Sequence, residues 1–356
     1  MLVGVGDLFL TVLYARIGSR VGSRLGMGMG RMLARAIWAG CRAASRFCGR
    51  LQAFVLSAAA PVILLSLIGV WSMLLSFGAA LLLHPELGEG VRRSSGTTPT
   101  DFASALYVAG GSLSVVANTD FMPQTAVMRV VFVVNAFVGA SALTLTITYL
   151  MQMYRALQTR NALGLKVHTM SAGTRNGAHL LAAWGPEGKF DICYSSLAEI
   201  AGELAEVHEA HHLYPLVFYF RFDTEYPNVV LYLPVILEAT TLLQCALADE
   251  SGWLKRSAAA QQLWHASMGL LGLLDNVFVP ERFKAEAEGI RADDLRTRFA
   301  AALALLREHG IATAADERSA GDEYAKSLQQ WLERSLRLAA YLDHPADAVL
   351  RQPKPG

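Results

Sequence analysis

Three oxygen-bearing side chains stand in a row at Asn118, Thr119 and Asp120, shortly after the hydroxyls of Ser112 and Ser114. An amide, a hydroxyl and a carboxylate are oxygen donors of the kind that coordinate partly hydrated cations, and repeated around an axis they attract cations to a pore mouth. Val115, Val116 and Ala117, between them, offer only backbone carbonyls. A second cluster, His208-Glu209-Ala210-His211-His212, satisfies H-E-x-x-H. On a helix, His208 and His212 would lie one turn apart, the spacing that binds zinc while the glutamate activates water. A third ligand is then needed, and Asp223, Glu225 and Glu238 are candidates. The plainer reading places charged histidines at a helix end, where they meet the dipole, because Pro215 follows closely.

The first cluster must be held by its flanks. DFASALYVAGG before it reads as a short helix over roughly 101–111, with Asp101 as its cap and Thr98 and Thr100 as rivals. That is too short to span a bilayer, which takes roughly 20 residues. After the cluster, residues 126–154 are long and apolar enough to span. Residues 53–83 form a second uncharged span, with Pro61 near its start, and residues 84–100, rich in Gly, Pro, Ser and Thr, read as an exposed loop. A span, a short helix, a polar connection and another span is the plan of a pore loop.

The N-terminal region carries no acidic residue between Asp7 and Glu86 but holds Arg16, Arg20, Arg24, Arg31, Arg35, Arg42, Arg46 and Arg50. Spacings of mostly three, four or seven put the guanidiniums along one side of a helix, so a basic amphipathic helix on an anionic inner leaflet is expected. The positive-inside rule then keeps this segment cytoplasmic. Residues 2–15 are apolar except for Asp7 and Thr11 and read equally as a short span or an interfacial anchor. Trp38, Trp71 and Tyr14 mark membrane interfaces or simply pack.

Composition agrees with a partly embedded chain. Of 356 residues, 53% are hydrophobic and 17% charged, with a net charge of +1, which argues against nucleic acid as a partner. Cys41, Cys48, Cys193 and Cys245 lack a paired or metal-like spacing and read as reduced cytosolic thiols. From about residue 157 the chain turns mixed and helical. SSLAEIAGELAEVHEAHH places Leu197, Ile200, Leu204 and Val207 on one face, and YPNVVLYLPVILEATTLLQCALADE reads as a buried helix. Further helices are expected over 257–275, 281–308 and 321–343, and a short hairpin around Gly185-Pro186-Glu187-Gly188.

Residues 53–156 resemble the bacterial two-transmembrane, potassium-channel-like family of pore-loop ion channels. Ser112-Leu113-Ser114 stand where that family has Thr-Leu-Thr, and Val115-Val116 where it has Thr-Val. Asp120, Pro123 and Thr125 match, as do the Ala105-Leu106-Tyr107 pore-helix pattern and Arg129 at the start of the inner helix. Gly139 sits where the inner helix often has a gating hinge; close helix packing is an equal reading. Ala117-Asn118-Thr119 replace Gly-Tyr-Gly, and Thr119 is β-branched, so a standard potassium filter is not expected. EAHHLYPLVFYFR is similar to the soluble C-terminal region of some bacterial members.

The expectation is an all-α membrane protein: transmembrane helices with a re-entrant pore helix and loop, then a mainly helical cytosolic domain. Its parts are residues 1–52 (apolar and basic), 53–156 (pore module) and 157–350 (cytosolic). The resemblance implies a homotetramer in the inner membrane passing K⁺ and Na⁺ with weak selectivity. It also implies a loop path of Ser112, Ser114, Val115, Val116, Ala117, Asn118, Thr119 and Asp120, with no enzyme activity and no cofactor. A non-conducting sensor or scaffold and a membrane-anchored zinc hydrolase are the alternatives.

Overall fold

The structure, a computed structural model, describes residues 27–47, 51–114, 120–222, 224, 226–280, 283 and 292–349. The described chain is mostly helical and divides into two units, one formed by residues 1–44 and 58–154 and the other by 45–57 and 155–356. The sequence places a boundary near 156, and the structure puts it at 154/155. Residues 45–57 group with the second unit, where Gln52 donates to Asp343 at 2.8 Å.

The first unit contains most of α1 (Met27–Ser45) and most of α2 (Gln52–Leu83), then strand β1 (Val91–Arg93), α3 (Phe102–Leu113), β2 (Phe121–Pro123) and the first part of α4 (Ala126–Met170). Helices α2 and α4 are each long and apolar enough to cross a membrane. Most of the apolar stretch of α4 is unburied within the chain, and Val127, Val130, Val133, Val134, Phe137 and Leu143 face outward. A soluble core helix would bury them.

One expectation needs correction here. The Gly- and Pro-rich stretch 84–100 is not all loop. It holds a 3₁₀ turn at His84–Glu86 and strand β1, which pairs antiparallel with β2 in the register Val91↔Pro123, Arg92↔Met122, Arg93↔Phe121. Three-residue strands carry too little pattern to be legible, and pairing with a partner about 30 residues away satisfies their backbone groups. Helix α1 lies within the expected Arg16–Arg50 surface helix and packs one face on protein. Ala34 and Trp38 are buried in the protein, and Gly30 lies against Leu67 of α2. Trp38 and Trp71 are packing residues. Tyr14, Arg16, Arg20, Arg24 and Arg50 lie outside the described residues.

The second unit continues α4 and adds α5 (Gly177–Trp184), α6 (Cys193–Leu213), α7 (Val229–Cys245), α8 (Gly252–Lys255), α9 (Ala258–Phe278), α10 (Ala292–Glu308), α11 (Glu317–Gln329) and α12 (Leu332–Tyr341). The expected apolar face of α6, Leu197, Ile200, Leu204 and Val207, is buried. Helix α7 is buried nearly all round, which explains its uniformly apolar sequence. Its Glu238 accepts from Arg298 Nε at 2.6 Å and Nη2 at 2.9 Å, from Tyr324 at 3.1 Å and from the Gly177 backbone N–H at 3.0 Å. One buried carboxylate thus ties α5, α10 and α11 to α7. A Cβ at Gly177 would fall 2.6 Å from the Ala239 nitrogen, so α5 reaches α7 because this residue has none.

No hairpin forms around residues 185–188. The chain leaves α5, makes a 3₁₀ turn at Pro186–Gly188 with Glu187 and Gly188 at φ 56° and 75°, and enters α6. The apolar LLAAW before the turn is buried on a helix, not alternated on a strand. The expected helix 321–343 is two helices broken at Gln330–Trp331. Trp331 is fully buried and its indole N–H donates to Thr241 at 3.3 Å, an anchor that interrupts the helix.

Candidate functional site

The candidate site is the connection from α3 to α4. Asp101 caps α3, accepting from the Ser104 backbone N–H at 3.0 Å and from its hydroxyl at 2.7 Å. The helix packs Ala105, Val108 and Ala109 against Ala79, Ala80 and Leu83 of α2 and against Phe121 and Met128. Tyr107 meets Phe121 edge-on at 6.1 Å. Small residues on α3 and α2 allow this close approach.

The last turn of α3 lies on α4 at Gly139. A Cβ there would stand 1.7 Å from the Leu113 carbonyl oxygen, so backbone touches backbone. Gly139 thus makes the close backbone contact that the packing reading expects. One turn earlier on α4, Asn135 is buried and its amide donates to Ser112 Oγ at 3.1 Å, while Ser112 itself donates to the Ala109 carbonyl at 2.9 Å. Ser112, expected on an ion path, is therefore buried and occupied in joining α3 to α4. Its neighbour Ser114 is exposed and lines a cavity of about 240 Å³ with Trp71, Ser76, Gly139 and Thr146. The sequence reading missed Asn135; an amide between the apolar runs VVFVV and AFV was the available signal.

Val115, Val116, Ala117, Asn118 and Thr119 lie outside the described residues. Asp120 follows them and is exposed. Its carbonyl accepts from the Ser94 backbone N–H at 2.8 Å and from the Ser94 hydroxyl at 3.1 Å, and β2 then pairs with β1. Gln124 extends the pairing by donating to the Gly90 carbonyl at 2.8 Å. The two-stranded sheet thus holds both the chain entering α3 and the chain leaving the loop.

Helix α4 also carries an outward line of Ser141, Thr144, Thr148 and Gln152, all exposed and three or four residues apart. Thr144 donates to the Ala140 carbonyl and Thr148 to the Thr144 carbonyl, each at 2.9 Å. The hydroxyl protons are spent on the helix, and the oxygen lone pairs point away from it.

The His208–His212 pair lies on α6, one turn apart, and the helix ends at Leu213, before Pro215. Glu238 is not available to it as a third ligand, because its oxygens are taken by Arg298, Tyr324 and Gly177. Asp223 and Glu225 lie outside the described residues. Among the described residues, no three His, Cys, Asp or Glu side chains form a metal cluster. The idea of charged histidines at this helix end fails for His211. It is wholly buried, its Nδ1 donates to the Val207 carbonyl at 2.8 Å, and burial pushes its imidazole down to about 3, so it is neutral. Burial also pushes the thiols of Cys193 and Cys245 up to about 12, which makes them inert packing groups.

Comparison with known proteins adds one relative. No protein-family model matches the chain, and no solved structure matches it. A stretch of 214 residues, 60% of this chain and 60% of the other, is 21% identical to "Uncharacterized membrane protein YdjJ" of Bacillus subtilis (strain 168). The chain is thus a mostly helical protein with two helices of membrane-spanning length, similar to a bacterial membrane protein over somewhat less than two thirds of that protein.

Proposed function

We propose that the chain is one subunit of a passive cation channel, a homotetramer in which four loops of residues 114–120 surround the ion path. The observation that carries the reading is the mounting of α3. A capped twelve-residue helix, too short to span, is seated by its last turn on a membrane-length helix. The chain beyond it returns to the sheet from which it left. The negative end of the α3 dipole then faces the loop, where it favours a cation.

Two further features support the reading. The outward oxygen line on α4, Ser141, Thr144, Thr148 and Gln152, suits a water-filled path better than lipid. The wide unburied face of α4 suits packing against further copies of the chain. The loop sequence at Ala117-Asn118-Thr119 departs from Gly-Tyr-Gly and favours weak selection among monovalent cations. Arg35 and Arg46 of the basic segment are exposed and suit an anionic cytoplasmic leaflet. The second unit is then a cytosolic assembly or gating domain.

The test is flux through the purified protein in liposomes, K⁺ against Na⁺, with Asp120→Asn alongside. Flux of both ions, reduced in Asp120→Asn, is the expected result. Flux of K⁺ alone would show a standard filter in spite of the missing glycines. A folded protein that passes neither ion across the pH and voltage range sinks the channel reading and leaves the membrane scaffold.

A further inference from the structure

The second unit contains an open cavity of about 680 Å³ that plays no part in the conduction reading. Three helices end at it: α4 with Met170, α5 with Ala182 and Ala183 in its last turn, and α10 with Glu308. The last carbonyls of a helix lack intrahelical donors and carry partial negative charge, so three such ends give the cavity a negative field. Its lining adds the carboxylates of Glu187 and Glu308 and no Lys or Arg. Glu187 is tied to Lys189 at 3.0 Å just outside, which leaves Glu308 as the carboxylate free to turn inward.

Two imidazoles complete the wall. His179 and His309 meet edge to face with ring centres 5.9 Å apart. His309 Nδ1 lies 2.9 Å from the Leu305 carbonyl, which can only accept, so Nδ1 carries the proton and Nε2 presents a lone pair. Fixing the tautomer through a backbone carbonyl is how metal-binding histidines are prepared. With metal–nitrogen bonds of about 2 Å, two imidazoles sharing a tetrahedral ion have ring centres about 5 Å apart, close to the separation of this pair. Glu308 and His309 both act electrostatically on His179, which places the three groups within reach of one another. The walls are also held in unusual conformations. Ala172, Glu187 and Gly310, one from each surrounding turn, all have positive φ.

We propose that this cavity binds a divalent cation of the imidazole-accepting class, such as Zn²⁺ or Ni²⁺, through His179, His309 and Glu308. No three donors already converge as a formed cluster among the described residues, so binding draws Glu308 and the two rings together. The site stands apart from the conduction reading, and its failure leaves that reading untouched.

The experiment is calorimetric titration of the full chain in detergent with Zn²⁺ and with Ni²⁺. The variants are His179→Gln, His309→Gln, Glu308→Gln and the double change His208→Gln with His212→Gln. The last is needed because the α6 pair can also chelate. All four alter partly or fully exposed side chains, and their metal-free unfolding temperatures serve as the folding check. The expected result is a site weakened at least about tenfold by His179→Gln and by His309→Gln and retained in the double variant. Absence of binding overturns the proposal. So does binding that survives both single changes, binding lost only in the double variant, or equal affinity for Mg²⁺.

Discussion

Substituting Gly139 by alanine separates two roles for this residue. A Cβ at Gly139 would stand 1.7 Å from the Leu113 oxygen, 2.7 Å from its carbonyl carbon and 3.1 Å from its Cα. Ordinary contact begins near 3.4 Å, so α3 and α4 must part by well over 1 Å at this point. All three atoms are backbone, and no side-chain rotation relieves the overlap. Overpacking costs about 1–3 kcal/mol, and a backbone obstacle belongs in the upper half of that range. The separation also strains the Asn135–Ser112 hydrogen bond one turn away, worth about 1 kcal/mol. At about 2–4 °C per kcal/mol, thermal unfolding in detergent at a fixed scan rate falls by about 5–10 °C. Flux falls with it, because the loop after Leu113 loses its seat. A Gly139→Ala protein that unfolds at the wild-type temperature while its flux changes would refute this reasoning and restore the gating hinge.

Other outcomes follow from the second unit. Glu238→Ala leaves Arg298 buried without its carboxylate and costs about 3–5 kcal/mol, read as a lower denaturant midpoint at unchanged slope; an unchanged midpoint contradicts the network described for α7. Acid lowers stability through buried histidines. Burial pushes His211 down to about 3 and His344 down to about 4, against about 6.5 in an unfolded chain. In that window the unfolded state binds more protons, so the stabilisation is complete above about pH 6.5 and is lost as pH falls towards 4, by up to about 1.4 kcal/mol per pH unit for each group. Denaturation midpoints from pH 7.5 to 5 show this decline, and His211→Gln flattens it; a midpoint that rises on acidification rejects the assignment.

Much of the fold was legible because burial leaves a period in the sequence. The face of α6, the buried α7, the two membrane-length helices and the Asp101 cap all follow from spacing and composition over a dozen or more residues. The failures are short or long-range. Strand β1 has three residues and is defined by a partner about 30 residues away. The break at Trp331 is made by a contact with Thr241, ninety positions earlier. Ser112 is bonded by Asn135 of the next helix, a contact that its own sequence neighbours do not signal.

The sequence by itself determined where apolar length suffices to cross a membrane, where the chain turns polar, and which residue types the α3–α4 connection offers. Those properties are local, since a hydrophobic run or a cap depends on near neighbours alone. Only the tertiary structure decided that Gly139 lies against the Leu113 backbone, that Glu238 is a buried junction rather than a ligand, and that three helix ends and two histidines share one cavity. Each depends on atoms brought together from distant positions, and one chain carries no periodic trace of which positions will meet.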